Sequence, residues 1–282
     1  MRLRIDVSYD GSDFHGWATQ PQLRTVQGTL ESALATVLRV PETRVVCAGR
    51  TDTGVHARGQ VVHVDVASLP ESRTSSDEAP VDTLRRRLNG LLPADIRLRA
   101  IRAVPESFDA RFSATWRRYA YRIADAVAHQ DPLTRNHVMH HPRALDIDAM
   151  NEAAALLLGL HDYASFCKQR EGATTIRTLQ TLSWARVDGI AEATVQADAF
   201  CHHMVRALVG CMVVIGEGRR PPAWAADVLE GRVRNPVAAL VPALGLTLEE
   251  VGYPDEDEFG EQADRTRARR EAWEGGGREF IR

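Results

Sequence analysis

Two apolar runs, Val45–Ala48 and Gln60–Val66, flank a polar stretch bracketed by glycines, Gly49–Gly59. Both runs read as strands, and so short a link confines the backbone to a tight path at the rim of a sheet. Within the link stands Gly49-Arg50-Thr51-Asp52-Thr53-Gly54-Val55-His56-Ala57. In an extended segment Arg50 and Asp52 project to the same side, so the glycines deliver a carboxylate and a guanidinium to one fixed place. A solvated turn with a surface ion pair would not require such short connections between buried strands. The stretch therefore reads as a functional loop.

Around it, strand and helix signals alternate. Arg2–Tyr9 sets Leu3, Ile5, Val7 and Tyr9 at period two, and Thr25 caps a helix running through Leu30, Ala33, Leu34, Val37 and Leu38 before Pro41. Leu84–Leu92, Ile147–Leu158, His203–Ile215 and Ala223–Leu229 read as further helices. Ile96–Val104, Arg117–Ile123, Ile176–Val187, Ala193–Ala197 and Leu246–Val251 read as strands, while Ser68–Ala79 reads as a mobile insertion. This pattern predicts an α+β fold, with two related halves sharing a mainly antiparallel central sheet flanked by helices. Residues 1–106 form the expected N-terminal half and carry Asp52. Residues 107–254 form the C-terminal half, and 255–282 an acidic tail expected to be poorly ordered.

The whole-chain charge of −3 over 282 residues argues mildly against a nucleic-acid partner, but it is an average over unlike regions. Glu249–Arg282 holds eleven acids and six arginines, whereas Val81–Asp125 holds ten arginines and five acids. A polyanion responds to the local face, so the basic segment keeps RNA in play. The longest apolar run, Ala207–Ile215, has nine residues, well short of the ~20 that a membrane helix needs. Met1-Arg-Leu-Arg-Ile-Asp begins as a strand rather than a leader, which predicts a cytoplasmic protein with no membrane partner. Four cysteines without a Cys-x-x-Cys pair predict reduced thiols and no disulfide.

Two further segments carry chemistry. In Ala110–Tyr121, alternation puts Arg117, Tyr119 and Tyr121 on one strand face, the mixture that base stacking with phosphate contact requires. Tyr121 reads better as a core residue. In Ala199–Gly210, Arg206 opens an otherwise apolar helix; a buried arginine needs a carboxylate partner. Cys201-His202-His203 does not read as a zinc site, because adjacent residues cannot all point at one metal and no second ligand cluster exists. Asp52-Thr53-Gly54 also matches the aspartic-protease triplet. That chemistry needs a second carboxylate, the chain has no second copy, and a neighbouring guanidinium opposes proton sharing. No phosphate-cradling glycine loop is present, which argues against nucleotide and dinucleotide cofactors.

Gly49-Arg50-Thr51-Asp52-x-Gly54-Val55-His56-Ala57 resembles the signature of the TruA family of tRNA pseudouridine synthases. Tyr9-Asp10-Gly11-Ser12-x-Phe14-x-Gly16-Trp17, Phe108-x-Ala110-Arg111-Phe112-Ser113-Ala114, Arg118-Tyr119-x-Tyr121 and Phe200-x-His202-His203-Met204-Val205-Arg206 follow in the family's order. The resemblance implies an isomerase that converts uridine to pseudouridine at positions 38–40 of the tRNA anticodon stem-loop, as a homodimer without cofactor. Asp52 falls on the catalytic aspartate, Tyr119 on the tyrosine that stacks on the target base, and Arg206 on the arginine that pairs with the aspartate. Arg50, Arg117, Arg118, Arg177 and His202 are the expected RNA contacts. Two departures thin that basic surface: Thr174-Thr175-Ile176-Arg177 stands where the family usually has Arg-Thr-Ile-Arg, and Ala18-Thr19-Gln20 where it has Gln-Arg-Gln. A non-catalytic tRNA-binding factor on the same scaffold is the competing reading, disfavoured by the intact Asp52, Tyr119 and Arg206.

Overall fold

Period-two alternation at the N-terminus becomes strand β1 (Arg2–Tyr9), with Leu3, Ile5, Val7 and Tyr9 buried and the polar residues between them half-exposed. The computed structural model describes residues 1–70, 79–125, 130–168, 174–234 and 238–275, the side chains of 269–275 aside. Helix α1 (Val26–Leu38) starts at the expected cap, where the Thr25 hydroxyl accepts from the Gly28 amide. Its buried residues Val26, Leu30, Ala33 and Leu34 make one stripe. Strands β2 (Val46–Cys47) and β3 (His56–Asp65) pair antiparallel, and β3 begins inside the glycine-bracketed link. Helix α2 (Pro80–Leu91) starts earlier than Leu84 because Pro80 suits the first turn. β4 (Ile96–Val104) pairs antiparallel with β1, which pairs with β3 on its other side.

The next elements build a second four-strand ladder. β5 (Trp116–Ala124) carries the short parallel strand β6 (Met139–His140), and α3 (Ile147–Ala155) leads into β7 (Gly159–Asp162). β8 (Ile176–Val187) and β9 (Ile190–Ala197) complete the antiparallel order β5-β9-β8-β7. Helix α4 (Met204–Gly216) is buried along nearly its whole length, which explains its oily sequence. A Cβ on Gly210 of α4 would overlap the Ala239 carbonyl, so glycine there permits close backbone approach. α5 (Trp224–Gly231) follows. The chain then returns: β10 (Leu246–Gly252) lies parallel to β3, with Thr247 beside His56 and Leu248 beside Ala57. Helix α6 (Phe259–Gly275) ends the described chain. The strands are mostly antiparallel and the helices interspersed, the α+β class expected. No described helix is long and apolar enough to cross a membrane.

Three expectations change. The first compact unit runs over Met1–Thr115 and Thr247–Asp264, and the second over Trp116–Leu246 with Arg265–Arg282, so the divide is not at 106/107. The reason is local. The Ala110 amide donates to the buried His63 Nδ1 (2.9 Å), and the Phe108 ring packs at a tilt against Tyr253 (centroids 5.0 Å apart) and edge-on against Phe259 (4.9 Å). Burial lowers the His63 pKa, consistent with a neutral ring accepting that bond. Residues 247–254 likewise belong with the first unit through the β3–β10 pairing. The tail, expected to be disordered, is helical over Phe259–Gly275, because Phe259 and Ala263, one turn apart, are both buried. Of the insertion at Ser68–Ala79, residues 71–78 lie outside the described residues.

The thiols are the third correction. Cys167 and Cys201, 34 positions apart in sequence, form a disulfide with their Cα atoms 5.7 Å apart. The segments bearing them run side by side, the Lys168 amide donating to the His202 carbonyl at 2.8 Å. Cys47 and Cys211 are free and buried, and burial pushes both thiols up to about 12. At neutral pH they stay protonated and inert. Titration of the unfolded protein without reductant is therefore expected to find two thiols, and four after reduction. Four before reduction would refute the bridge.

Candidate active site

The polar link between β2 and β3 has no ladder partners of its own over Gly49–Val55, so other groups must hold it. Its entry is fixed by the Ala48 amide, which donates to the Val61 carbonyl at 2.8 Å. The Gly49 carbonyl then accepts from the Gln60 amide group at 2.7 Å. The Thr51 side chain is buried and shares a 2.7 Å hydrogen bond with the Tyr9 hydroxyl. A second loop, Asp10–Trp17, clamps the first from outside. The Trp17 amide donates to the Thr51 carbonyl (3.0 Å), and the Gly54 amide to the Phe14 carbonyl (3.4 Å). Phe14 and Trp17 are both buried, anchoring the clamp.

Glycine is required at two points of contact between these loops. Gly16 has φ +86°, and a Cβ there would sit 3.0 Å from the Thr51 carbonyl. A Cβ on Gly11 would overlap the Val55 carbonyl. The clamp therefore touches the link backbone to backbone. Thr51 is held on both its carbonyl and its hydroxyl, and Asp52 follows immediately, half-buried. Its carbonyl accepts from the Val55 amide (3.1 Å), closing a turn completed by Gly54 at φ +78°. Arg50 projects into solvent. A carboxylate on so constrained a backbone is preorganised, the condition under which a charged group acts without paying for rearrangement.

The second unit holds the other expected residues. On β5, Tyr119 is buried with its ring edge-on to Phe200, centroids 5.2 Å apart. Two residues on, Tyr121 is fully buried and donates to the Pro242 carbonyl at 2.8 Å, the core role read from the sequence. Burial raises its phenol pKa, the nearby Arg206 charge pulling the other way. Arg117 is buried, one guanidinium nitrogen donating to the Asp198 carbonyl at 2.7 Å. Arg118 is half-buried and lies over the Trp116 ring, 5.6 Å from its centroid. Arg177 turns back on its own strand entry, donating to the Thr174 carbonyl at 2.7 Å. The Thr174 hydroxyl accepts from the Ile176 amide (3.2 Å) and the Thr175 hydroxyl donates to Asp162 (2.6 Å), so both residues shape this turn.

His202 and His203 stand at the mouth of α4, with ring centroids 3.9 Å apart. His203 takes the left-handed conformation, φ +70°, at the cap position. Arg206 lies in the first turn, half-buried, its Nε donating to the Val241 carbonyl at 2.8 Å. A cation there opposes the helix macrodipole, an arrangement that costs about 0.3–1 kcal/mol. Placement against local stability is a mark of function.

Sequence reading passed over Tyr9 and Gln60 as parts of strands, and the Cys167–Cys201 bridge entirely. One signal was available for Gln60: a neutral polar residue directly before Val61-Val62 in an apolar strand.

A family model described as tRNA pseudouridine synthase matches residues 6–113 and 153–254. Curated relatives named tRNA pseudouridine synthase A include one from Streptomyces griseus, 58% identical over 90% of this chain and 88% of its own. Another, from Cutibacterium acnes, is 50% identical over 95% of both chains. One from Mycobacterium leprae is 46% identical over 95% of this chain and 94% of its own.

Proposed function

Because this chain belongs to the tRNA pseudouridine synthase family, we propose that the uridines it isomerises are those at positions 38–40 of the tRNA anticodon stem-loop. It is an RNA-modifying isomerase. The reaction breaks the bond from base N1 to ribose C1′ and joins base C5 to the same carbon. A proton leaves C5 and one is gained at N1, so no oxidant, reductant or second substrate is consumed. The chemistry needs an ionised carboxylate and a detached base held long enough to turn over.

Asp52 supplies the carboxylate. The observation that carries this reading is its backbone: a half-buried acid on a link clamped by Thr51, Gly54 and the Asp10–Trp17 loop. Tyr119 supplies the platform on which the flipped base stacks, and flipping costs least where such a surface waits. Arg206 supplies the positive charge that keeps the catalytic carboxylate ionised, the role the resemblance implies. Arg50, Arg117, Arg118, Arg177 and His202 make the remaining RNA contacts. Among these Arg50 is exposed, suited to entering the stem-loop as the target nucleotide leaves.

The enzyme works in the cytoplasm as a homodimer, without metal or cofactor. Support for self-association is the exposed run of Leu156 and Leu158, in the turn between α3 and β7, with Leu160 on the edge strand β7. Light scattering on the pure protein is expected to give twice the chain mass, and a single-chain mass at micromolar concentration would overturn the dimer.

The deciding experiment for the substrate is chemical mapping of pseudouridine in tRNA from cells with and without this protein. Loss of the modification confined to positions 38–40 is the expected result. Unchanged positions 38–40 would sink the assignment.

A further inference from the structure

We propose that Tyr9 and Gln60 are positioning residues for the reaction, setting the Gly49–Asp52 backbone from beneath and so aiming Asp52. The proposal rests on Asp52 being the catalytic carboxylate. Gln60 is completely buried on β3, and Tyr9 nearly so on the neighbouring strand β1. Val7 lies opposite Gln60 in the ladder and Tyr9 is two residues beyond it, so both side chains share one face. A buried primary amide in a valine-rich strand loses stability unless its hydrogens find acceptors. Those acceptors are the Gly49 carbonyl at 2.7 Å and the Tyr9 hydroxyl oxygen at 3.4 Å.

Gln60 Nε2 can only donate, so the Tyr9 oxygen accepts from it, and the same oxygen shares a 2.7 Å hydrogen bond with Thr51 Oγ1 in which either hydroxyl can donate. Both arms thus end on the link, one at Gly49 and one at Thr51, bracketing Arg50 and stopping one residue short of Asp52. Packing alone does not call for this. Phenylalanine and leucine would fill the same space without polar groups to satisfy. What the polar pair adds is a fixed place for a segment that no strand ladder holds. A misplacement of about 1 Å at a reacting group costs on the order of 100-fold in rate.

The test is a double-mutant cycle on the full-length protein with tRNA, following Tyr9→Phe, Thr51→Val and the double variant. Tyr9→Phe is expected to lower kcat about tenfold, the effect of one hydrogen bond, with KM for tRNA changed less than about twofold. The unfolding temperature should move little, because the ring remains. Thr51→Val should do similar harm, and the double variant should be no worse than either single one. Wild-type kcat in Tyr9→Phe would overturn the proposal. So would multiplying effects in the double variant, or a rise in KM that accounts for the loss. Asp52→Ala run in parallel separates the two levels. An active Asp52→Ala enzyme would remove the reading of Asp52 itself, whereas an inactive one beside a fully active Tyr9→Phe removes only the positioning role.

Discussion

Asp52→Ala is expected to abolish pseudouridine formation, with turnover at least about 10,000-fold lower, the order of loss when the reacting group of an enzyme is removed. Affinity for tRNA should change less than about threefold. The contrast arises because binding to tRNA is dominated by phosphate contacts from many arginines, each contributing a modest share. The carboxylate has no such substitutes. Thr51, Gly54 and the Asp10–Trp17 clamp hold the backbone, so the alanine variant keeps that backbone in place and loses the carboxylate. Asp52→Asn refines the result: it keeps the shape, removes the charge, and should be as inactive. Single-turnover measurement of pseudouridine content, with filter binding of the same tRNA, reads both quantities. Activity surviving in either variant would show that another group does the work, and equal loss of binding would return the protein to the class of RNA binders.

Arg206 should give the second largest effect. Arg206→Met is expected to lower turnover about 100- to 1,000-fold, the range seen when one preorganised electrostatic contact is deleted. Stability should move little, and two of the terms that set it oppose one another. The Val241 carbonyl loses its 2.8 Å donor, at a cost of about 1 kcal/mol. Removing a cation from the first turn of α4 returns about 0.3–1 kcal/mol. Unfolding temperature is therefore expected to stay within a few degrees while activity collapses. Arg206→Lys should fall between, since it keeps the charge but not the planar fork. Full activity of Arg206→Met would exclude any role in the reaction. A collapse of the unfolding temperature would recast the residue as structural.

Much of the fold was legible because its signals are periodic. Strands β1, β4 and β8 fall on the residues expected from alternation, and α1 starts at its Thr25 cap. β7 was not legible: four residues, Gly159–Asp162, are too few for a pattern, and Leu160 on it is exposed. Helix α6 was hidden by its highly charged composition, which resembles a solvated tail unless Phe259 and Ala263 are seen to be buried together. The disulfide was hidden by distance along the chain, since no local spacing links Cys167 to Cys201. At the site, Asp52 stood out because glycines bracket it. Its support did not, because Tyr9 and Gln60 look like any strand residues until the loop they hold is in place.

The return of β10 to β3 has a consequence for how this protein is made. Residues 116–246, the larger part of the second unit, are inserted between β4 and β10 of the first. During translation, β3 and its loop leave the ribosome long before Thr247 and Leu248, the neighbours that complete its outer edge. At about 5–20 residues per second the wait lasts roughly ten to forty seconds. Through that interval the nascent N-terminal sheet carries an open edge, while residues 116–246 emerge. The segment bearing the proposed catalytic acid would then be among the last parts of the enzyme to reach its final form.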